Sequence, residues 1–195
     1  IYLTLTDHIS FAIERFYGGM NFANALEEEI KLFYPQEYAI GRYGVSLTYK
    51  ETGIQLPESE AASIALHIIN AEYDAAISQT MTSISIMNDM MKMICQAINK
   101  STNECIYNYW MVSNLKFLAH RMLLLEPMKG YEDIEFFRFL QSHCEWEMEL
   151  ISKIKSFIEG KYNCEMTEEE QIYLTLHVKR IRDLNKSNGG CNEII

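Results

Sequence analysis

Residues 60–68, Glu60-Ala61-Ala62-Ser63-Ile64-Ala65-Leu66-His67-Ile68, and residues 170–178, Glu170-Gln171-Ile172-Tyr173-Leu174-Thr175-Leu176-His177-Val178, decide the fold. Each stretch has a Glu seven residues before a His, a Leu directly before it and a β-branched residue directly after. From Gly53 and Asn163 onward the two copies are related by a constant offset of 110, and the helices and loops ahead of them align too. Self-similarity at a fixed offset marks a repeated structural unit, so the chain is predicted to carry one helical module of roughly 90–100 residues twice.

Outward from the repeat, the pattern stays helical. Leu5, Ile9, Ala12, Ile13 and Phe16 recur at helical spacing over residues 3–16, and Gly18-Gly19 ends that helix. Further helices are expected over 23–33, 36–50, 58–72, 81–98, 106–125, 133–142, 145–159 and 168–184. Tyr34-Pro35 stops the second helix, Pro57 stands at a helix start, and Gly41 and Gly44 sit inside the third helix, where a neighbouring helix could approach closely. Thr167 and Glu170 have capping-box spacing, which fixes the start of the last helix. The fold class is therefore all-α: two tandem homologous bundles of about five helices each. The first is placed at residues 1–75 with its N-terminal helix partly missing, the second at 76–185, with a weak linker near 74–79. A polar, Gly-rich tail over 186–195 is expected to be flexible.

Composition narrows the function. The net charge of −10 repels phosphate backbones, no basic run appears, and the chain by itself is not expected to bind RNA or DNA. No apolar run reaches about 18 residues, so membrane insertion is not expected, and the start Ile1-Tyr2-Leu3-Thr4 lacks the features of a signal peptide. The start also falls inside an apolar pattern, so the chain reads as a fragment. Cys95, Cys105, Cys144, Cys164 and Cys191 are scattered without a CxxC pair, which reads as free thiols in a reducing cytoplasm.

A lone His on an apolar helix usually reads as a core residue bonded to a neighbouring carbonyl. Two at equivalent places in a repeat point elsewhere, because an unpartnered buried ring costs roughly 1–3 kcal/mol. The rings are better placed on a shared surface or cleft. Neutral imidazole is a nucleophile near pH 7, and a phosphoryl group added there brings about two negative charges and three acceptor oxygens.

Leu5-Thr6-Asp7-His8-Ile9, followed by Ala12-Ile13-Glu14-Arg15, resembles the first box of the PTS regulation domain, or PRD, of the BglG/LicT/SacY transcriptional antiterminators. Ile64 to Glu72 is similar to the second box, and Tyr34-Pro35-Gln36-Glu37-Tyr38 fits the stretch between them. In the second copy, Leu115-Lys116-Phe117-Leu118-Ala119 with Arg121 resembles a first box, and Tyr173 to Val178 with Arg180 a second. The resemblance implies a cytoplasmic, sugar-responsive regulator that dimerises, is not an enzyme, needs no cofactor or metal, and binds RNA only through a separate N-terminal domain missing here. It implies phosphorylation at His8 and His67 by a sugar-specific EIIB protein, which blocks activity. At His177 it implies phosphorylation by the phosphocarrier HPr, which promotes the active homodimer.

One position departs from the pattern. The first acceptor of the second copy falls on Asn114, whose amide can neither accept a phosphoryl group nor mimic its charge. Control by HPr is accordingly expected to be weakened or to rest on His177 alone. His120 lies six residues further, about 240° around a helix, and is no substitute; His143 reads as a surface residue. Asp7 is a supporting candidate, either orienting His8 or simply solvated, while Glu60 and Glu170 read as helix-start acids that favour the dipole. The Met87, Met90, Met91 and Met93 cluster reads as adaptable packing. Two alternatives stand: a PRD pair from a DNA-binding activator, and a helical metal-binding protein, against which the absence of HExxH or Glu-x-x-His spacing argues.

Overall fold

The structure, a computed structural model, describes residues 2–20, 23–73, 75–101, 109–124 and 134–189, with side chains for all of these except 109, 110, 124, 134, 137 and 185–189. Among the described residues it is helical, without strands, as the sequence predicts. The helices are α1 (Tyr2–Tyr17), α2 (Glu27–Phe33), α3 (Pro35–Thr52), α4 (Ser59–Tyr73), α5 (Ile77–Ala97), α6 (Tyr109–Leu124), α7 (Ile134–His143), α8 (Glu145–Tyr162) and α9 (Glu168–Gly189). None of them is long and apolar enough to cross a membrane. The chain divides into two compact units, Ile1–Ser85 and Ile86–Ile195, and the division falls within α5.

The 110-residue offset is written into the backbone. Helices α3 and α8 correspond end for end, since residues 35–52 map onto 145–162. Each ends on a left-handed residue, Gly53 at φ 73° and Asn163 at φ 51°. Glycine and Asn are the residues that take this conformation most cheaply. Each is also joined to the preceding helix through one residue, Tyr34 or Cys144, at nearly the same φ of −130° and −131°. The joint residue donates its N–H to the helix before it, at 2.8 Å in both cases: Tyr34 to the Ile30 carbonyl and Cys144 to the Leu140 carbonyl.

In the first unit, α4 lies at the centre, with Ala61, Ala62, Ile64, Ala65, Leu66 and Ile69 buried. Helix α3 meets it at Gly41: a Cβ there would fall on the carbonyl of Ala61, and at Gly44 it would come within 3.2 Å of Ile64 Cδ1. The expected close approach is thus real, and backbone meets backbone at Gly41. The equivalent position of the second unit is Ile151, fully buried in α8. At this position the second unit thus buries an isoleucine side chain where the first has only glycine. Gly160 of α8 is the contrasting case, because a methyl group placed there would meet nothing within 4 Å. Gly160→Ala should stabilise the second unit by about 0.5–1 kcal/mol through helix propensity alone, read as a shift in its denaturation midpoint.

Several element ends differ from expectation. Helix α2 begins at Glu27 because Asn24 folds residues 24–27 into a turn, its Oδ1 accepting from Leu26 N–H at 3.0 Å. Helix α5 begins at Ile77, four residues before the predicted start, and shortens the expected linker. Its entry is held by Gln79, whose Oε1 accepts from Ala76 N–H at 3.0 Å. Helix α9 continues to Gly189, beyond the predicted end near 184. The free-thiol expectation is corrected at Cys95, which is disulfide-bonded; scattered cysteines do not reveal a pairing. Cys144 and Cys164 are free, and burial pushes both thiols above their ordinary value. Among the methionines, Met87, Met90 and Met91 are fully buried packing.

Candidate functional site: two polar seams built on one ion pair

In the first unit α1 lies along α4, and the seam between them is polar. Glu60, in the first turn of α4, is only 5% exposed. It turns inward because two donors from α1 meet its two oxygens: Arg15 Nη2 donates to Oε1 at 2.6 Å and His8 Nε2 to Oε2 at 3.0 Å. The two residues lie seven apart on α1, two helical turns, so both face α4. Burial alone would push the Glu60 carboxyl up, but the His8 and Arg15 hydrogen bonds and charges hold it below the usual carboxylate range.

The second histidine enters from α4 itself. His67 lies seven residues after Glu60, on the same face, and its ring centroid is 4.7 Å from that of His8 at a 47° tilt. Among the described residues its ring has no hydrogen-bond partner, and it is half-buried. Burial, and then the neighbouring His8, push the His67 ring below its ordinary value and favour the neutral form. Two imidazoles thus face each other beside a carboxylate and a guanidinium. Such a cluster can receive an electrophile on a ring nitrogen and meet the resulting charge with Arg15.

The second unit repeats the ion pair and changes the rest. Arg121 of α6 lies 3.3 Å from Glu170 Oε1 of α9, and Glu170 is 1% exposed. Its other oxygen accepts from Thr167 N–H at 3.0 Å, while Thr167 Oγ1 accepts from Glu170 N–H at 3.3 Å: the predicted capping box is formed. Asn114 does not reach Glu170. Its Nδ2 donates to His177 Nδ1 at 3.3 Å, and its Oδ1 accepts from the Tyr173 hydroxyl at 2.8 Å. His177 is 6% exposed, with the Tyr173 ring edge-on at 4.3 Å. Burial and then Arg180 lower its proton affinity.

The predicted positions therefore meet in pairs, His8 with His67 and Asn114 with His177. The residue that holds His8 is Glu60; Asp7 is exposed on α1. His143 is a surface residue at the end of α7, stacked on Phe139 at 4.1 Å. Reading Glu60 and Glu170 as helix-start acids understates them, and Arg15, Arg121 and Tyr173 join the site without a motif of their own. The signal for the arginines is a second pairing in the repeat, Arg15 with Glu60 and Arg121 with Glu170. Among the described residues no group of three or more His, Cys, Asp or Glu is placed to hold a metal ion.

These buried groups make stability depend on pH. His67 and His177 have lowered proton affinity in the fold, so the unfolded chain binds protons that the folded chain refuses. Their contribution is complete above the unfolded value of 6.5 and is lost as pH falls below it. Glu60, also lowered, contributes fully above 4.5 and less as pH falls further. Urea midpoints measured from pH 8 to pH 4 should fall in two stages, the first beginning near pH 6.5. A midpoint that stays flat to about pH 5 would contradict the histidine assignment.

Fold and site define a tandem all-α module whose repeated seam carries a buried Arg–Glu pair and, beside it, paired His or Asn–His side chains. The family model for the PRD domain matches residues 1–71 and 86–181, and the chain belongs to that family. It is 34% identical over 182 residues to the transcription antiterminator LicT of Bacillus subtilis, a match covering 93% of this chain and 65% of that protein. It is 33% identical over 183 residues to the beta-glucoside operon antiterminator of Dickeya chrysanthemi, covering 93% and 64%. To the transcription antiterminator LacT of Lacticaseibacillus casei it is 23% identical over 185 residues, covering 93% and 63%. The chain thus spans just under two thirds of the length of these curated relatives.

Proposed function

We propose that this chain is the regulatory region of a transcriptional antiterminator, a cytoplasmic regulator rather than a catalyst, whose dimerisation and RNA binding are switched by phosphorylation of histidine in response to sugar. The observation that carries the reading is the His8–His67 pair, two imidazoles 4.7 Å apart beside a buried Glu60–Arg15 ion pair. The names of the relatives supply the antiterminator context. In this reading His8 and His67 accept phosphate from a sugar-specific EIIB protein and His177 accepts it from HPr. The N-terminal RNA-binding domain of such a protein lies outside this chain, and two PRDs, placed at about 1–75 and 76–185, act as separately addressed modules.

A phosphoryl group on either ring of the first seam sets about two negative charges beside the buried Glu60 carboxylate. Arg15 then has two anions to choose between, and the α1–α4 packing has a reason to move. In the second seam His177 is nearly enclosed, with Nδ1 taken by Asn114. Its ring has to leave that contact before it can react.

Peptide mapping under mildly alkaline conditions tests the reading, after incubation with phosphoenolpyruvate, Enzyme I and HPr, with and without EIIB. Phosphate is expected on His8 or His67 only with EIIB, and on His177 with HPr at a slower rate. Folded protein and active donors with no phosphate on any of the three would refute it. Asn114→His should add an HPr-dependent acceptor at 114 and, by breaking the Asn114 contact, speed labelling of His177; unchanged labelling at both positions would count against the acceptor role of this seam.

A further inference from the structure

The two seams differ in how each buried glutamate uses its second oxygen. Glu170 gives one oxygen to Arg121 and the other to the backbone N–H of Thr167. The residue equivalent to Thr167 is Pro57, which has no N–H to offer. Glu60 therefore gives one oxygen to Arg15 and keeps the other for His8 Nε2. An ionised carboxylate has no proton, so at this contact the ring must donate: Nε2 carries the hydrogen, and the lone pair of the neutral ring lies on Nδ1.

We infer that Glu60 is a positioning residue that fixes His8 as the Nε2–H tautomer and makes Nδ1 its nucleophilic nitrogen, with Pro57 leaving the carboxylate oxygen free for the task. The inference rests on the acceptor reading of His8 given above. In the transfer, the Nδ1 lone pair of His8 forms the new P–N bond. The donor protein's P–N or P–S bond breaks, and its electron pair returns to the donor atom. The Nε2 proton stays in place, and the positive charge that the ring acquires faces the Glu60 carboxylate. This is the division of labour by which a buried carboxylate holds a catalytic imidazole in a protease triad.

The conservative change Glu60→Gln inverts the arrangement. Arg15 has only donors and claims the amide oxygen, so the amide N–H2 faces His8. His8 then accepts through Nε2 and carries its proton on Nδ1, where the lone pair is needed. Asn114 already stands in such a relation to His177: its oxygen is held by Tyr173 and its N–H is aimed at a ring nitrogen.

The test is long-range proton–nitrogen NMR of the histidine rings in the intact chain at about pH 8, where neutral imidazole dominates, before and after phosphorylation with the complete donor system. Wild-type His8 should be the Nε2–H tautomer, and its phosphate should lie on Nδ1. Glu60→Gln should show the Nδ1–H tautomer at His8 and lose phosphorylation there by on the order of 100-fold or more, with His67 still labelled. A Nδ1–H tautomer or an even mixture in the wild type, a Glu60→Gln chain with an unchanged tautomer, or phosphate on Nε2 of His8 would each overturn the assignment. A fixed Nε2–H tautomer with no phosphate on His8 would uphold the Glu60 clamp and instead sink the acceptor reading. Since the wild-type tautomer is read without any substitution, the test survives a variant that fails to fold.

Discussion

Replacing Glu60 with alanine is expected to destabilise the first unit by about 3 kcal/mol, at the lower end of the cost of breaking a buried ion pair. Glu60 Oε1 and Oε2 satisfy Arg15 and His8 at 2.6 and 3.0 Å, and the carboxylate is almost wholly enclosed. Removing it takes from Arg15 its 2.6 Å carboxylate partner in a part-buried seam, although the Arg15 side chain keeps some contact with water, which limits the loss. The double variant Glu60→Ala, Arg15→Met removes the charge that Glu60 balanced and should recover more than half of the loss. The measurement is equilibrium urea denaturation followed by circular dichroism. A single variant within about 0.5 kcal/mol of wild type, the size of an ordinary surface substitution, would show that the pair contributes nothing to the fold.

Gly41→Ala should cost a similar amount for a different reason. The added methyl would fall on the carbonyl of Ala61, which is backbone and cannot swing aside as a side chain would. Helices α3 and α4 would have to separate, and overpacking of this kind costs about 1–3 kcal/mol, occasionally more. For a unit of this size a loss of about 3 kcal/mol corresponds to a fall in Tm of roughly 12–24 °C. Gly160→Ala in the second unit is the matched control, the same chemical change in open space and of opposite sign. Equal effects of the two substitutions would remove the argument from close packing.

Much of the architecture is legible in the sequence because the repeat carries it. The Pro at the start of α3, the Gly and Asn after α3 and α8, and the Thr–Glu box before α9 are local signals, and the structure places a helix end at each. The start of α5 escapes such a reading because Ser78, Gln79 and Thr80 look like loop, whereas Gln79 reaches back to cap the helix that it stands in. The start of α2 escapes it because a turn closed by one Asn side chain leaves no trace in hydrophobic periodicity. At the site, the paired histidines can be read from spacing and resemblance. The inward turn of Glu60 cannot: a glutamate in the first turn of a helix has a good reason to be there without any partner. Only the contact with α1, 45 and 52 residues away in the chain, shows what it holds. The Asn114–His177 contact is hidden in the same way, since an amide replacing an acceptor says what is lost but not what is bonded instead.

The missing methyl at Gly41 also bears on how movement travels. Helices slide past one another on a film of side chains, whose rotamers adjust as the film shears. In the second unit the equivalent position carries Ile151, a fully buried side chain whose rotamer can adjust. In the first unit there is no film at Gly41, and the two helices grip through their main chains. A displacement of His67 on α4 should therefore reach α3 with little damping. On this packing the first unit should behave as the stiffer lever, and the second as the joint with more slip.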